Sequence, residues 1–97
     1  MPDVVCFHCQ QCVEKYLKAV LIKHGLSPER THRLVDLLGE CLVVKPALAI
    51  LQSDLVILDR YSVDPRYPGF TATPEEAQEA LVALRRVRKT VRKALGL

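Results

Sequence analysis

Residues 6–12 read CFHCQQC and place three cysteines at a strict spacing of three residues. The pattern is compatible with a metal site, a redox site or the packed side of a helix. In an α-helix each residue turns ~100° and rises ~1.5 Å, so Cys6 and Cys12 stand about 9 Å apart along the axis. Two thiolates on one zinc ion are at most about 4.6 Å apart, because each sulfur lies ~2.3 Å from the metal. No helix-breaking residue separates Cys6 from Cys12, so we expect that they do not share an ion.

A smaller set, Cys9 and Cys12 with Cys41 and the neighbouring His8, remains open as a metal site. A redox CxxC motif normally follows a strand in a βαβ unit, and the sequence shows no strand pattern. We favour the third interpretation, in which the cysteines are small apolar residues at a helix–helix contact. It predicts a protein without a bound metal or cofactor.

The helical pattern around this stretch extends over about residues 3–24, and Gly25 is a natural residue to end the helix. Gln10, Glu14 and Lys18 form a polar line that contains a favourable Glu→Lys pair at i,i+4. The apolar positions recur at spacings of three and four residues and predict this buried stripe: Val5, Cys9, Cys12, Val13, Tyr16, Leu17, Val20 and Leu21.

Three further helices are predicted. The second begins near Thr31, the third covers about residues 45–59, and Thr73 with Glu76 opens the last helix as a capping box. The apolar stripe of the last helix is Ala77, Ala80, Leu81, Leu84, Val87, Val91 and Leu95. We therefore expect an all-α fold, an antiparallel up-down bundle of about four helices that forms one domain over residues 1–97.

Composition and charge restrict the class of protein further. The chain has 97 residues and a net charge of +3, with no run of ~18 apolar residues and no signal-peptide pattern at its start. We expect a cytoplasmic protein with reduced thiols and no membrane contact. Residues 77–97 contain six basic side chains and one acidic one, Glu79. Cations near the end of a helix suit its dipole, which is the interpretation we favour, and contact with phosphates is the alternative.

Residues 7–38, FHCQQCVEKYLKAVLIKHGLSPERTHRLVDLL, resemble the HEPN domain, a small all-helical nucleotide-binding family. Members commonly read F-H-A-Q-Q-A-A-E-K-x-L-K-A, then a helix-ending glycine and T-H-x-L. The matching residues are Phe7, His8, Gln10, Gln11, Glu14, Lys15, Leu17, Lys18, Ala19, Gly25, Thr31, His32 and Leu34. A second block, residues 58–68, is similar to the family's L-x-x-Y-Y-I-x-x-R-Y-P, with Ser62 in place of the second tyrosine. The family's alanines coincide with Cys9 and Cys12, which agrees with a packing role for both.

The resemblance implies a helical fold and a nucleotide-related context. Family members usually carry a full helix before this one, so we expect a bundle that lacks that first helix and leaves an apolar groove for another chain. Ribonuclease members carry an arginine followed, after four to six residues, by a histidine, and this chain has no such pair.

We therefore expect a non-catalytic module that acts as a homodimer or as the partner of a minimal nucleotidyltransferase, in a toxin–antitoxin-like context. One alternative is a ribonuclease toxin with a degenerate active site that uses His8 or Arg66. Another is a thiol or metal sensor built on the four cysteines.

Helical phase places His8, Gln11, Lys15 and Lys18 on one face of the first helix. An imidazole, an amide and two ammonium groups can together hold a phosphate and the edge of a base, which makes this face a candidate site for a nucleotide or RNA. The alternative is an ordinary solvated helix face.

A second candidate lies in the irregular stretch of residues 60–70, which is rich in proline and aromatic residues. Arg66 and Tyr67 can clamp a phosphate and stack a base, or they can anchor the loop to the bundle. His32, near a predicted helix start, is expected to cap or to pack.

Overall fold

The computed structural model describes residues 1–28, 33–62 and 71–97. These residues form four α-helices and one 3-10 segment and contain no strand, so the expected all-α bundle is confirmed. The elements are α1 (Pro2–Lys23), α2 (Leu34–Val44), the 3-10 segment (Pro46–Leu51), α3 (Gln52–Asp59) and α4 (Pro74–Ala94). Within the described ranges, no helix is long and apolar enough to cross a membrane.

The CFHCQQC stretch lies inside α1 as unbroken helix, as expected. Cys6 and Cys9 are buried, and so is Cys41 on α2, whose thiol donates to the Leu17 carbonyl at 3.5 Å. Cys12 is half-buried, and all four cysteines are free thiols. A packing role is therefore confirmed for the three buried cysteines.

The buried face of α1 is rotated relative to the predicted stripe. Cys12 and Tyr16 are only half-buried, whereas Cys6 and Gln10 have no exposed surface. The buried residues of this helix are Cys6, Cys9, Gln10, Val13, Glu14, Leu17, Val20 and Leu21. The predicted stripe was wrong at these positions because it was drawn from apolar residues alone, while α1 buries two polar side chains.

Gln10 and Glu14, predicted to lie on a polar line, are 0% and 6% exposed. Gln11 Nε2 donates to Gln10 Oε1 at 2.7 Å, and Lys18 Nζ donates to Glu14 Oε2 at 3.1 Å. Buried polar groups are tolerated when they keep hydrogen-bond partners, and these two bonds provide them. The predicted Glu14–Lys18 pair is confirmed, but it lies at the edge of the core.

α1 and α4 end in the same way. Gly25 and Gly96 follow the two helices with φ angles of 76° and 81°, a left-handed conformation that costs little only for glycine. In both cases the glycine N–H and the next N–H return to carbonyls of the last turn, which is a Schellman motif. The predicted end of α1 at Gly25 is therefore confirmed.

α2 begins at Leu34, and Thr31, near which we expected its start, lies outside the described residues. Arg33 at the N-cap supplies no side-chain cap. Instead Asp59, the last residue of α3, accepts hydrogen bonds from the N–H groups of Leu34 at 2.7 Å and Val35 at 3.2 Å. A carboxylate in this place satisfies two free donors and suits the helix dipole.

The predicted third helix consists of two pieces. Pro46–Leu51 is a 3-10 segment, and α3 begins only at Gln52. A 3-10 helix has three residues per turn, so Leu48 and Leu51 stand on the same side, and both are buried. The single long helix was wrong because leucines three residues apart fit either helix type.

α4 starts as predicted. The Thr73 hydroxyl accepts from the Glu76 N–H at 3.1 Å, and the Glu76 carboxylate accepts from the Thr73 N–H at 2.9 Å, which completes the capping box. Leu81 and Leu84, which we expected in the buried stripe, are half-buried. The fully buried positions of α4 are Ala80, Ala83, Val87 and Val91. Small residues at these positions allow α4 to pack closely along α1.

α1 and α4 run in the same direction, whereas a strictly up-down bundle of four helices would place its first and fourth helices antiparallel. At one end of the bundle, the Tyr61 hydroxyl donates to Glu76 of α4 at 3.3 Å and lies against the thiol of Cys6 in α1. At the other end, Lys23 of α1 donates to the Leu95 carbonyl after α4. The starts of both helices therefore lie together, and so do their ends.

α3 runs antiparallel to α4. Asp54, early in α3, pairs with Arg86 late in α4, and Arg60, just after α3, pairs with Glu79 near the start of α4. The Asp54 carboxylate is buried, and Arg86 Nε donates to its two oxygens at 3.0 and 3.2 Å. This ion pair raises the pKa of Arg86 and holds α4 in one rotational position against α3.

Candidate functional site

The predicted face of α1 contains two kinds of residue in the structure. His8 and Lys15 are exposed, whereas Gln11 and Lys18 are half-buried. The amide of Gln11 and the ammonium of Lys18 already donate to buried polar residues of the same helix. His8 and Lys15 are thus the members of the set that point most fully to solvent.

A pocket of about 180 Å³ lies next to Lys15 on α1, and Cys12, Lys15 and Tyr16 line it. Residues three and four apart are neighbours on a helix surface, so these three side chains form one flank of α1. Cys12 and Tyr16 are only half-buried, and Tyr16 lines the pocket while it also packs against the edge of the core.

The side chains that line the pocket include one cation and one aromatic ring. A lysine ammonium attracts a phosphate as a point charge, and a tyrosine ring offers a face on which a base can stack. His8 lies two helical turns before Lys15, ~10.5 Å along the axis. The imidazole of His8 contacts the ring of Phe7, with the centroids 6.1 Å apart and the planes tilted by 59°.

The buried thiols near this helix are held in the protonated form. Burial raises the pKa of Cys9 to about 11 and that of Cys41 to about 11. Burial is also the main cause that raises the pKa of Cys6, and the charge of Glu76 adds to it. Because the thiolate is the nucleophile and the metal ligand, these three thiols are poor at both roles near neutral pH.

The groups that usually bind metals are also dispersed. In the part of the chain that the structure describes, no three His, Cys, Asp or Glu side chains lie together so as to hold a metal ion. The raised pKa values of the three buried thiols argue against the thiol or metal sensor. His24 Nδ1 lies 2.9 Å from the Val20 carbonyl, so its imidazole is engaged at the end of α1.

Three predicted residues, Arg66, Tyr67 and His32, lie outside the described residues. Their roles therefore stay predictions.

Sequence reasoning missed Cys12 and Tyr16 as site residues because it assigned both to the core. The helical period did contain information about the rotation of α1. If Gln10 faces the core, the same rotation moves Tyr16 from the centre of the buried face towards the surface. Hydropathy, however, cannot show that a glutamine is buried, since burial of its amide depends on hydrogen-bond partners.

The fold and the site define a small helical module with a cation and an aromatic ring beside a pocket on its first helix. The family model of the HEPN domain matches residues 1–94 of this chain, which therefore belongs to the HEPN family. Membership supports a helical module associated with nucleotides or RNA in general. The comparisons with curated proteins and with solved structures gave no match.

Proposed function

We propose that the protein is a non-catalytic HEPN module that binds a nucleotide on the outer side of α1. Lys15 holds a phosphate, and the ring of Tyr16 packs against the base in the pocket beside it. The observation that carries this proposal is the exposed Lys15, which lines a shallow pocket together with the aromatic side chain of Tyr16.

The size of the pocket limits what it encloses. Pockets that enclose a whole drug-sized ligand measure about 300–1,000 Å³, and this one measures about 180 Å³. It therefore takes a single ring system, while the sugar and the phosphates lie along the helix surface. We expect His8, ~10.5 Å before Lys15 along the axis, to contact the end of a phosphate chain that extends along α1.

Two features support a non-catalytic role. The sequence contains no arginine followed by a histidine at the spacing of the ribonuclease members. Of the described histidines, His24 is engaged with a backbone carbonyl and His8 contacts Phe7. We accordingly assign binding, not bond cleavage, to the α1 face.

Calorimetric titration with ATP, GTP, CTP, UTP and inorganic triphosphate tests the binding site. We expect at least one nucleoside triphosphate to bind, Lys15→Ala to weaken it at least tenfold, and Tyr16→Leu to remove the difference between nucleotide and inorganic triphosphate. Lys45→Ala, which removes an equal charge away from α1, is the matched control. Equal affinities of Lys15→Ala and Lys45→Ala would refute the site.

The same preparation tests the catalytic alternative. Incubation with a labelled RNA is expected to leave it intact. Cleavage that disappears in His8→Ala would replace our proposal with the degenerate ribonuclease.

We further propose that the module acts in an assembly, either as a homodimer or with a small nucleotidyltransferase, as in a toxin–antitoxin pair. Several large apolar side chains are exposed and offer contact area, among them Ile22, Val43 and Ile50 at 64%, 80% and 76% exposure. Co-purification followed by native mass spectrometry is expected to show a dimer or a complex. A monomer at micromolar concentration, with no co-purified protein, would contradict this.

A further inference from the structure

α4 carries a strip of cations on the side that faces away from the bundle, which we call the α4 basic face. Its members are Arg85, Arg88, Lys89 and Arg92, and all four are exposed. At ~100° per residue they lie within an arc of ~100°, and they extend over ~10.5 Å along the axis. The opposite side of α4 is the buried alanine and valine stripe.

The neighbouring charges do not cancel this face. No acidic residue follows Glu79 in the sequence, and Glu79 itself pairs with Arg60 at the other end of α4. The carboxylate of Asp54 forms an ion pair with Arg86, whose side chain is turned towards α3. Because α1 runs parallel to α4, Lys23 adds a further cation at the same end of the bundle.

The helix dipole explains only part of the pattern. Its effect on side chains falls off within the last turn, and only Arg92 and Lys93 lie in the last turn of α4. Arg85, Arg88 and Lys89 lie before it. Like charges three and four residues apart destabilise a helix, so this face has a cost in stability that a bound polyanion would relieve.

We infer that the α4 basic face binds the phosphate backbone of RNA. The choice of RNA as the polyanion rests on the nucleotide- or RNA-associated role that membership of the HEPN family supports, on which the proposed function also rests, whereas the location on α4 rests on the charges alone. The sequence of α4 contains no aromatic residue, so this face supplies no stacking platform and contacts phosphates, not bases. Insertion into a membrane does not fit, because it needs the apolar side of the helix, and that side is buried in the bundle. Adsorption of the cations to an anionic lipid surface is an outcome that the test distinguishes.

The number of phosphate contacts sets how steeply the affinity for RNA falls with salt concentration. Four phosphate contacts predict that affinity for an RNA duplex falls about 100-fold between 50 and 200 mM salt. The double variant Arg85→Gln with Lys89→Gln, called the face variant, keeps two contacts and should lose only about tenfold over the same range. It should also bind more weakly than the wild type at 50 mM salt.

The matched control is the double variant Arg33→Gln with Lys45→Gln, which removes the same net charge away from the α4 basic face. Fluorescence anisotropy with a labelled 16-base-pair RNA duplex measures affinity, and thermal melting by circular dichroism checks folding. We expect the face variant to melt at or above the wild-type temperature, because it loses like-charge repulsion. The control variant should keep the wild-type affinity and salt dependence.

Several results would overturn the inference. One is no binding of the RNA at 50 mM salt, and another is equal weakening in the face and control variants. Polyglutamate, or vesicles of an anionic phospholipid, binding as tightly as the RNA at equal charge would overturn RNA as the occupant.

Two variants distinguish failure of this inference from failure of the proposed function. Lys15→Ala is expected to lose nucleotide binding and to keep the RNA affinity, whereas the face variant shows the opposite pattern. Loss of both activities in either variant would mean that α1 and α4 form one site and would overturn a separate face.

Discussion

Replacement of Asp59 by alanine tests a long-range cap that joins α3 to α2. The Asp59 carboxylate accepts from the N–H groups of Leu34 and Val35, which lie at the start of α2. Leu34 has no exposed surface, so its N–H loses its partner without replacement by water. Val35 is half-buried, and water can reach its N–H.

The expected loss in the free energy of unfolding follows from the environments of these two N–H groups. A buried donor left without a partner costs about 1–3 kcal/mol, and the loss of an N-cap costs about 0.5–2 kcal/mol. Asp59 is also the last residue of α3, where a negative charge is unfavourable by ~0.3–1 kcal/mol. Removal of this charge therefore recovers part of the lost stability. We expect Asp59→Ala to reduce the free energy of unfolding by about 1–2 kcal/mol.

Urea denaturation followed by circular dichroism measures this change, which corresponds to a midpoint lower by about 1 M. Asp36→Ala is the matched control, because Asp36 is an exposed carboxylate in the first turn of the same helix. Amide hydrogen exchange by NMR gives a second readout: the Leu34 amide should lose protection in Asp59→Ala and keep it in Asp36→Ala. Equal stability losses, with the Leu34 amide still protected in both variants, would refute the cap.

Leu51→Ala is expected to cost about 2–5 kcal/mol in the same urea assay, because the side chain is 2% exposed and its removal leaves a cavity. Leu84→Ala should cost less, since Leu84 is half-buried, and a larger loss at Leu84 would contradict the packing. A thiol reagent at pH 8 is expected to label Cys12 rapidly in the folded protein and the other three cysteines only after unfolding; a second fast thiol would contradict their burial. Stability should fall as the pH rises from about 9 to 12. Burial raises the pKa of Cys9 to about 11 and that of Tyr61 to about 12, so the neutral forms stabilise the folded state below these values. Urea midpoints at pH 8 and 11 measure the fall, which should be smaller in Tyr61→Phe, and an unchanged midpoint in the wild type would refute it.

Features that depend on neighbouring residues in the chain were predictable from the sequence. The capping box of Thr73 and Glu76 spans four residues, and Gly25 ends α1 through backbone bonds within five residues. Such motifs need only local backbone geometry, so residue type and spacing are enough. The apolar periodicity likewise predicted the helical class of the fold and the helix that contains the cysteines.

The rotation of α1 was not predictable in the same way. Apolar residues alone place Tyr16 fully in the core, but the helix buries Gln10 and Glu14 and leaves Tyr16 half-buried at the edge of the core. Two side chains of the same helix, Gln11 and Lys18, provide partners that make this burial tolerable. The candidate pocket is a direct consequence, because the same rotation leaves Tyr16 and Cys12 at the surface.

Residue types and spacings were enough to predict that the chain is helical, where α1 ends and α4 begins, that Cys6 and Cys12 do not share an ion, and which family the chain resembles. Contacts between distant elements set the cap that Asp59 forms on a helix 25 residues earlier, the pairing of Arg86 with Asp54 and the parallel course of α1 and α4. The physical reason is the range of the interactions. Periodicity and capping act within one or two turns, whereas the partner of a buried charge or amide is set by which elements meet in space.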